Sequence, residues 1–468
     1  MDLVNRISDW VDAHENELIE DIKRSVRIKS VRGEAEEGAP FGRGPRQALS
    51  DFLVRCEDFG FATGVVADCV GTADIKSDKP AKLDILVHLD VVPADEGWES
   101  DPYLPEVRDG MLYGRGTDDD KGPAVMALYA MRCISELGLS INGNCRLILG
   151  TDEESGMGDL PHYYNKYKPA PCTFSPDAGF PVFNVEKGSY RPTAIKTVSE
   201  KREESDILWL KGGHTLNIVP ELAEAEISGI SAHAAELYLK KAAADLGLGL
   251  EAYNTENGAV IQVLGKSAHA SLPEQGNNAV TGLLQLIKLL PLDTALTAEV
   301  SKISKVFPHG DNYGVNLGIA NEDDLSGKLT LVLSVIDIKD DKIVFKFDSR
   351  VPLSSNEENC KELTEKRLGE LGYTVKGEQE KGHHTSADSD FVKTLLTCYE
   401  TYSGNKGECL SMGGGTYVHG IPGAVAFGAT FPGFEANMHG IDEKISVKDA
   451  LSATKIFALA IARICCGD

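Results

Sequence analysis

No two of the ten cysteines form a CxxC pair, and no apolar run is long enough to span a bilayer. Basic residues are also short, 47 Lys+Arg standing against 72 Asp+Glu for a formal charge of −25. Each shortage excludes something. A nucleic-acid binder needs clustered Lys and Arg to release counterions from phosphates, so no nucleic-acid partner is expected. The same deficit disfavours an anionic membrane surface. Cysteines in apolar settings such as Met131-Arg132-Cys133-Ile134 read as free thiols packed as small hydrophobes in a reducing compartment. Met1 to Asn5 lacks the basic start and apolar run of a secretory signal. A cytoplasmic protein is the expectation. No internal repeat or low-complexity stretch breaks the chain.

What is present is ordinary globular material. The 468 residues are 42% hydrophobic and 25% charged, enough for two to three domains with a sizeable core. Leu3, Val4, Ile7, Trp10, Val11, Leu18, Ile19, Ile22 and Val26 recur at helical spacing and predict an amphipathic helix. Short apolar runs then alternate with helical stretches, the rhythm of an α/β sheet. Strands are expected at Leu83–Val87, Arg146–Leu149 and Cys172–Ser175, with a helix from Pro123 to Leu137. From about Glu186 the texture changes. Charged sequence (Glu200 to Glu204) is followed by longer alternating strands such as Lys342–Phe347, and by a Gly258–Leu264 strand with a helix over Asn277–Leu290. After about Gly382 the α/β texture returns, with a core strand at Ala424–Phe427 and a final helix capped by Ser446. The expected architecture is an α/β catalytic domain, with a central mostly parallel sheet flanked by helices, interrupted by an inserted α+β lid domain. Its boundaries are 1–185 and 383–468 for the two catalytic parts and 186–382 for the insert.

Four segments stand at predicted carboxyl ends of strands, the edge where open α/β sheets bind ligands. His88-Leu89-Asp90 puts an imidazole and a carboxylate on one side of extended chain, so one ring nitrogen can bond Asp90 while the other faces a metal. Gly116-Thr117-Asp118-Asp119-Asp120-Lys121-Gly122 opens a helix, Asp152-Glu153-Glu154 follows the second strand, and Asp177 ends Ser175-Pro176-Asp177. Singly, these read as a His–Asp hydrogen bond, a solvated acidic loop, a helix N-cap and a plain turn. Together those readings fail, because carboxylates at several strand ends beside one His repel unless a cation sits among them. His439, in Asn437-Met438-His439, offers a second imidazole. One His and one carboxylate per ion, with one carboxylate shared, describes a two-metal site.

In this order the motifs resemble those of the M20 family of metallopeptidases, nearest its PepV-like dipeptidases. Gly413-Gly414-Gly415-Thr416-Tyr417 and Ser267-Ala268-His269-Ala270 extend the likeness over essentially the whole chain. The resemblance implies that Asp119 bridges two ions, with His88 and Asp177 completing one site and Glu154 and His439 the other. It implies a cis peptide after Asp119, Asp90 as the group orienting His88, and Glu153 as the general base acting on a water activated by the two metals. His269 is implied as donor to the tetrahedral oxyanion. Asn217 and Arg350 are weaker candidates for the substrate backbone and carboxylate, and the Gly414, Gly415 and Thr416 backbone for the carboxylate as well. The ions are two divalent cations, with Zn²⁺ first and Mn²⁺ or Co²⁺ as alternatives. The implied activity is hydrolysis of unblocked dipeptides. Deacylation of N-acyl amino acids is the alternative, and a non-catalytic peptide-binding homologue ranks below both. The enlarged insert is implied to mimic a dimerisation partner, which makes a monomer the first expectation and a dimer the second. Val418-His419 replaces the Ala-Arg of relatives, a departure that bears on substrate preference.

Overall fold

The computed structural model describes residues 2–76, 78–198 and 206–466. The charged run Glu200 to Glu204 lies outside the described residues. Two compact units emerge: 1–185 with 384–410 and 415–468, and 186–383 with 411–414.

In the first unit the continuous apolar runs form the middle of a sheet. Its order is Ala62–Val66, Val70–Asp74, Asn144–Gly150, Ala81–His88, Cys172–Ser175, Ala424–Ala426 and Val182–Glu186. The strands from Asn144–Gly150 to Ala424–Ala426 are mutually parallel. Antiparallel pairs flank them on both sides, so the sheet is mixed, with a parallel centre. Strands buried on both faces need apolar residues throughout, and Leu83, Ile85, Leu86 and Val87 are all buried. The Lys121–Glu136 and Val447–Cys465 helices pack into the same core. Ser446 caps the latter through its side chain, which accepts the Asp449 amide. The amino-terminal helix expected from one apolar stripe is two helices, Leu3–Ala13 and Glu15–Val26. The break falls at His14, whose Nδ1 lies 2.7 Å from the Trp10 carbonyl oxygen.

The second unit is built on an antiparallel sheet. It runs Gly249–Asn254, Gly258–Leu264, Leu222–Ser228, Ile207–Gly212, Thr330–Lys339, Lys342–Val351 and Gly188–Tyr190. Helices Ala232–Asp245, Ala279–Ile287 and Ala295–Val306 bury their apolar faces in its separate core. Asn278 caps the Ala279–Ile287 helix by accepting the Thr281 amide.

Register positions the chemistry. His88 pairs with Gly150, so the 151–154 turn leaves the sheet at the level of His88. Ser175 Oγ donates to the Leu86 carbonyl at 2.8 Å, which brings Asp177 to the same edge. The Gly116–Gly122 segment departs from expectation. It follows the short Met111–Tyr113 strand of a small separate sheet, and reaches the same edge as the entry to the Lys121–Glu136 helix.

Candidate metal centre

Three adjacent carboxylates that could have lined a wet loop are all buried, each with its own partner. The Thr430 hydroxyl faces both Asp118 carboxylate oxygens, at 3.0 and 2.9 Å, and shares its one proton between them. Asp120 Oδ2 accepts the His88 amide at 3.0 Å. Asp119 lies between two imidazoles, with Oδ1 3.0 Å from His88 Nε2 and Oδ2 2.9 Å from His439 Nε2. The Asp119–Asp120 peptide is cis.

Around Asp119 the structure brings together the expected ligand candidates. Asp177 Oδ2 stands 3.7 Å from His88 Nε2, and Glu154 Oε2 stands 3.1 Å from His439 Nε2. Donor atoms of His88, Asp119 and Glu154 lie within 4.8 Å of one another, and so do those of His88, Glu153 and Asp177. Glu153 and Glu154 therefore face different parts of the cluster, although they adjoin in sequence. No helix begins at 152–154; the segment is a turn.

Asp90 holds this turn. Its Oδ1 accepts the Glu153 amide at 3.2 Å and its Oδ2 the Glu154 amide at 3.1 Å. Its carbonyl oxygen lies 3.0 Å from His88 Nδ1, nearer than its carboxylate at 3.5 Å. Asp90 thus faces the His88 ring through its backbone and the two glutamates through its side chain.

The electrostatics show too much negative charge for a centre without cations. Burial pushes the Glu154 carboxyl up to about 7 and the Asp177 carboxyl up to about 6, with the Asp119 charge adding to both. Glu153 is pushed well up by burial and by Asp177. Burial opposes the His88 imidazolium, but Asp119 and Asp177 outweigh it and raise its pKa. The hydrogen bonds of His439 to Asp119 and Glu154 raise it to about 11. Glu154 Oε1 is buried without a hydrogen-bond partner, and His88 Nε2 faces the carboxylates of Asp119 and Asp177, as atoms that hold an ion do. Two imidazoles and a set of carboxylates fit Zn²⁺, Mn²⁺ or Co²⁺.

Several supporting residues have no role assigned to them from the sequence. Tyr417 donates to Asp159 Oδ2 at 2.6 Å, and that oxygen also accepts the Thr151 and Asp152 amides. Gly150 makes room for the phenol, since a Cβ there would come within 2.0 Å of its oxygen. Asp152 pairs with Arg32 and accepts the Gly158 amide at 3.0 Å. Glu443 is buried and accepts amides from the 116–119 turn. Its only signal was proximity to His439.

Of the remaining candidates, Asn217, His269, Arg350 and Gly414 belong to the second unit. Ile218, beside Asn217, pairs with His269, and the Asn217 carbonyl accepts the Ala270 amide at 2.8 Å. His269 is exposed, its Nδ1 2.6 Å from Ser271 Oγ. Arg350 is buried, and its fork is already engaged. Nε and Nη2 donate to Asp348 at 2.7 and 3.2 Å, and Nη1 donates to the Gly413 carbonyl at 2.6 Å. What Arg350 holds in the structure is the start of the glycine loop. Gly413 packs so tightly on Ser271 that a Cβ would meet Ser271 Cβ at 2.5 Å. Gly414 follows it in the same unit, and Gly415 and Thr416 belong to the first, where Thr416 is buried.

Residues 85–463 match the model of Peptidase family M20/M25/M40. A Bacillus subtilis (strain 168) protein named "Putative dipeptidase YtjP" is 33% identical over 454 residues, covering 95% of this chain and 96% of its own. Human carnosine dipeptidase 1 shares the fold at TM-score 0.62, with 16% identity and 99% of each chain covered. The di-peptidase Dug1p of Saccharomyces cerevisiae does so at TM-score 0.59, with 13% identity and 98% of each chain covered.

Proposed function

The chain belongs to peptidase family M20/M25/M40 and is a metallopeptidase, and from that premise we propose that it hydrolyses unblocked dipeptides at a two-ion centre. The observation that carries the reading is the placement of Asp119, each of whose oxygens faces a different imidazole. One ion would be held by His88, Asp119 and Asp177, the other by Asp119, Glu154 and His439. When bound, such ions supply Lewis acidity toward the scissile carbonyl and lower the pKa of a water. Zn²⁺ suits the mixed imidazole and carboxylate set.

The chain's own residues do the rest. Glu153, in a turn fixed by the Asp90 carboxylate, takes the proton of the attacking water and returns it to the leaving amine. His269 donates to the oxyanion, its ring steadied by Ser271. The Gly414, Gly415 and Thr416 backbone receives the substrate carboxylate, and Arg350 holds that loop through the Gly413 carbonyl. Asn217 positions the substrate backbone.

A panel of dipeptides set against N-acetylated and N-succinylated amino acids tests the assignment. Turnover of the free-amine dipeptides is expected. Turnover confined to the acylated set would make the chain a deacylase instead.

A further inference from the structure

Asp119 and His439 come from loops far apart in sequence, and one buried ion pair joins those loops. The Glu443 carboxylate accepts the Gly116 and Asp118 amides at 3.0 Å and the Asp119 amide at 3.1 Å. It also accepts Arg115 Nη1 at 2.7 Å, with both side chains buried. Arg115 Nη2 in turn donates to the Gly440 carbonyl at 3.0 Å, and the Gly114 amide donates to the Glu443 carbonyl at 3.0 Å. A guanidinium fork and one carboxylate therefore span 114–119 and 440–443.

His439 needs this support more than His88 does. Its side chain is 51% exposed, and its backbone, at φ 60°, is left-handed, a conformation costly for a residue with a Cβ. His88 ends a central strand and is held by its own register, by Asp120 and by the Asp90 carbonyl. Both halves share Asp119, but the His88 half has supports of its own that the His439 half lacks.

We propose that the Arg115–Glu443 pair is a positioning device for one half of the centre: it sets Asp119 against His439 and thereby the affinity for the ion they share with Glu154. The proposal rests on the two-ion reading above. Both side chains are buried, closed to substrate. In Glu443→Gln the side-chain NH₂ must face a donor in either orientation, the 116–119 amides or the Arg115 guanidinium, so one side of the bridge is lost. In Arg115→Lys the charge stays, but one ammonium replaces the planar fork that reaches both Glu443 and the Gly440 carbonyl.

The test is stepwise titration of the metal-free full chain with Zn²⁺, followed by calorimetry, with His439→Ala marking which equivalent belongs to that half. Wild type is expected to bind two equivalents. In Glu443→Gln and Arg115→Lys the marked equivalent weakens at least about tenfold, the scale seen when partners of metal ligands are removed. The other equivalent stays within about threefold on the same scale, and turnover recovers as free metal is raised. Arg115→Lys decides the matter if the Gln variant does not fold. Equal weakening of both equivalents, or no weakening of either, overturns the positioning role. A wild type that takes up a single ion overturns the two-ion reading instead.

Discussion

Tyr417 donates its phenol proton to Asp159 Oδ2 at 2.6 Å, and through that one oxygen it steadies the Thr151 and Asp152 amides that open the Glu153 turn. A hydrogen bond to a charged acceptor contributes about 1.5–3 kcal/mol. Tyr417→Phe keeps the ring and its edge-on contact with His88, so it removes little else. The expected result is a loss of about 1–2 kcal/mol, because two amides still satisfy Asp159, together with reduced turnover. Thermal unfolding of the metal-loaded protein reads the first effect. An unchanged midpoint would show that the phenol proton is dispensable.

Asp84 gives a pH dependence remote from the metal centre. Burial pushes its carboxyl up to about 6, against the pull of the Ala170 amide. The folded state thus holds the Asp84 proton more tightly than the unfolded chain does. Its contribution to stability is fully present below about pH 4 and is lost as pH rises to about 6. A separation of about two pH units corresponds to at most about 3 kcal/mol. Asp84→Asn keeps an acceptor for Ala170 and lacks the titration. Its stability relative to wild type should rise between pH 4 and 6 and then level off. Denaturant titrations of both proteins across that range check this, and a pH-independent difference would refute it.

Metal removal should cost stability as well as activity. Without cations Asp119, Glu154, Asp177 and Glu153 crowd one another, and ions that bind only the folded state stabilise it by about 2.7 kcal/mol at a hundred times Kd. Chelation is expected to lower the unfolding temperature and abolish turnover. Zn²⁺, Mn²⁺ or Co²⁺ should restore both, and Mg²⁺ should do so poorly because each ion has an imidazole among its donors. Restoration by Mg²⁺ alone would contradict this donor set.

Much of this was legible in the sequence, for physical reasons that also mark its limits. Strand 83–87 is a largely apolar run that only a doubly covered sheet can bury, and the acidic motifs at the ends of 83–87 and 172–175 lie where the strands stop. The break at His14 was not legible, because the apolar stripe continues across it from Leu3 to Val26. The small-sheet origin of the Asp118–Asp120 turn was hidden as well, since short strands carry little periodicity. Glu443 and Asp159 act through backbone amides, and nothing in residue spacing announces a side chain that caps a turn from another loop. Arg350 shows the converse. Its chemistry suits a substrate carboxylate, yet Asp348 and the Gly413 carbonyl already occupy its fork.

The oxyanion role proposed for His269 separates transition-state support from metal binding. It lies outside the ligand set, so His269→Ala should leave two equivalents of metal bound. Loss of an oxyanion donor lowers kcat by about 10²–10³-fold. Metal analysis alongside steady-state kinetics checks both halves, and full activity in the Ala variant would remove His269 from the mechanism.

Glu153 and Glu154 provide the sharpest contrast, because adjacent residues of one type are assigned different work. Glu154 Oε2 lies 3.1 Å from His439 Nε2, among the donors of one ion. Glu153 lies near His88 and Asp177 instead, where a carboxylate can accept a proton from water and hand it on. Both amides hang on the same Asp90 carboxylate, so replacing either side chain leaves the turn anchored. Glu153→Gln should retain both metal equivalents and lose about 10²–10⁴-fold in kcat, the usual share of a general base. Glu154→Gln should bind one equivalent more weakly and regain part of its turnover at high metal. If Glu153→Gln instead loses metal and is rescued by adding it, Glu153 is a ligand and the proton must travel by another group.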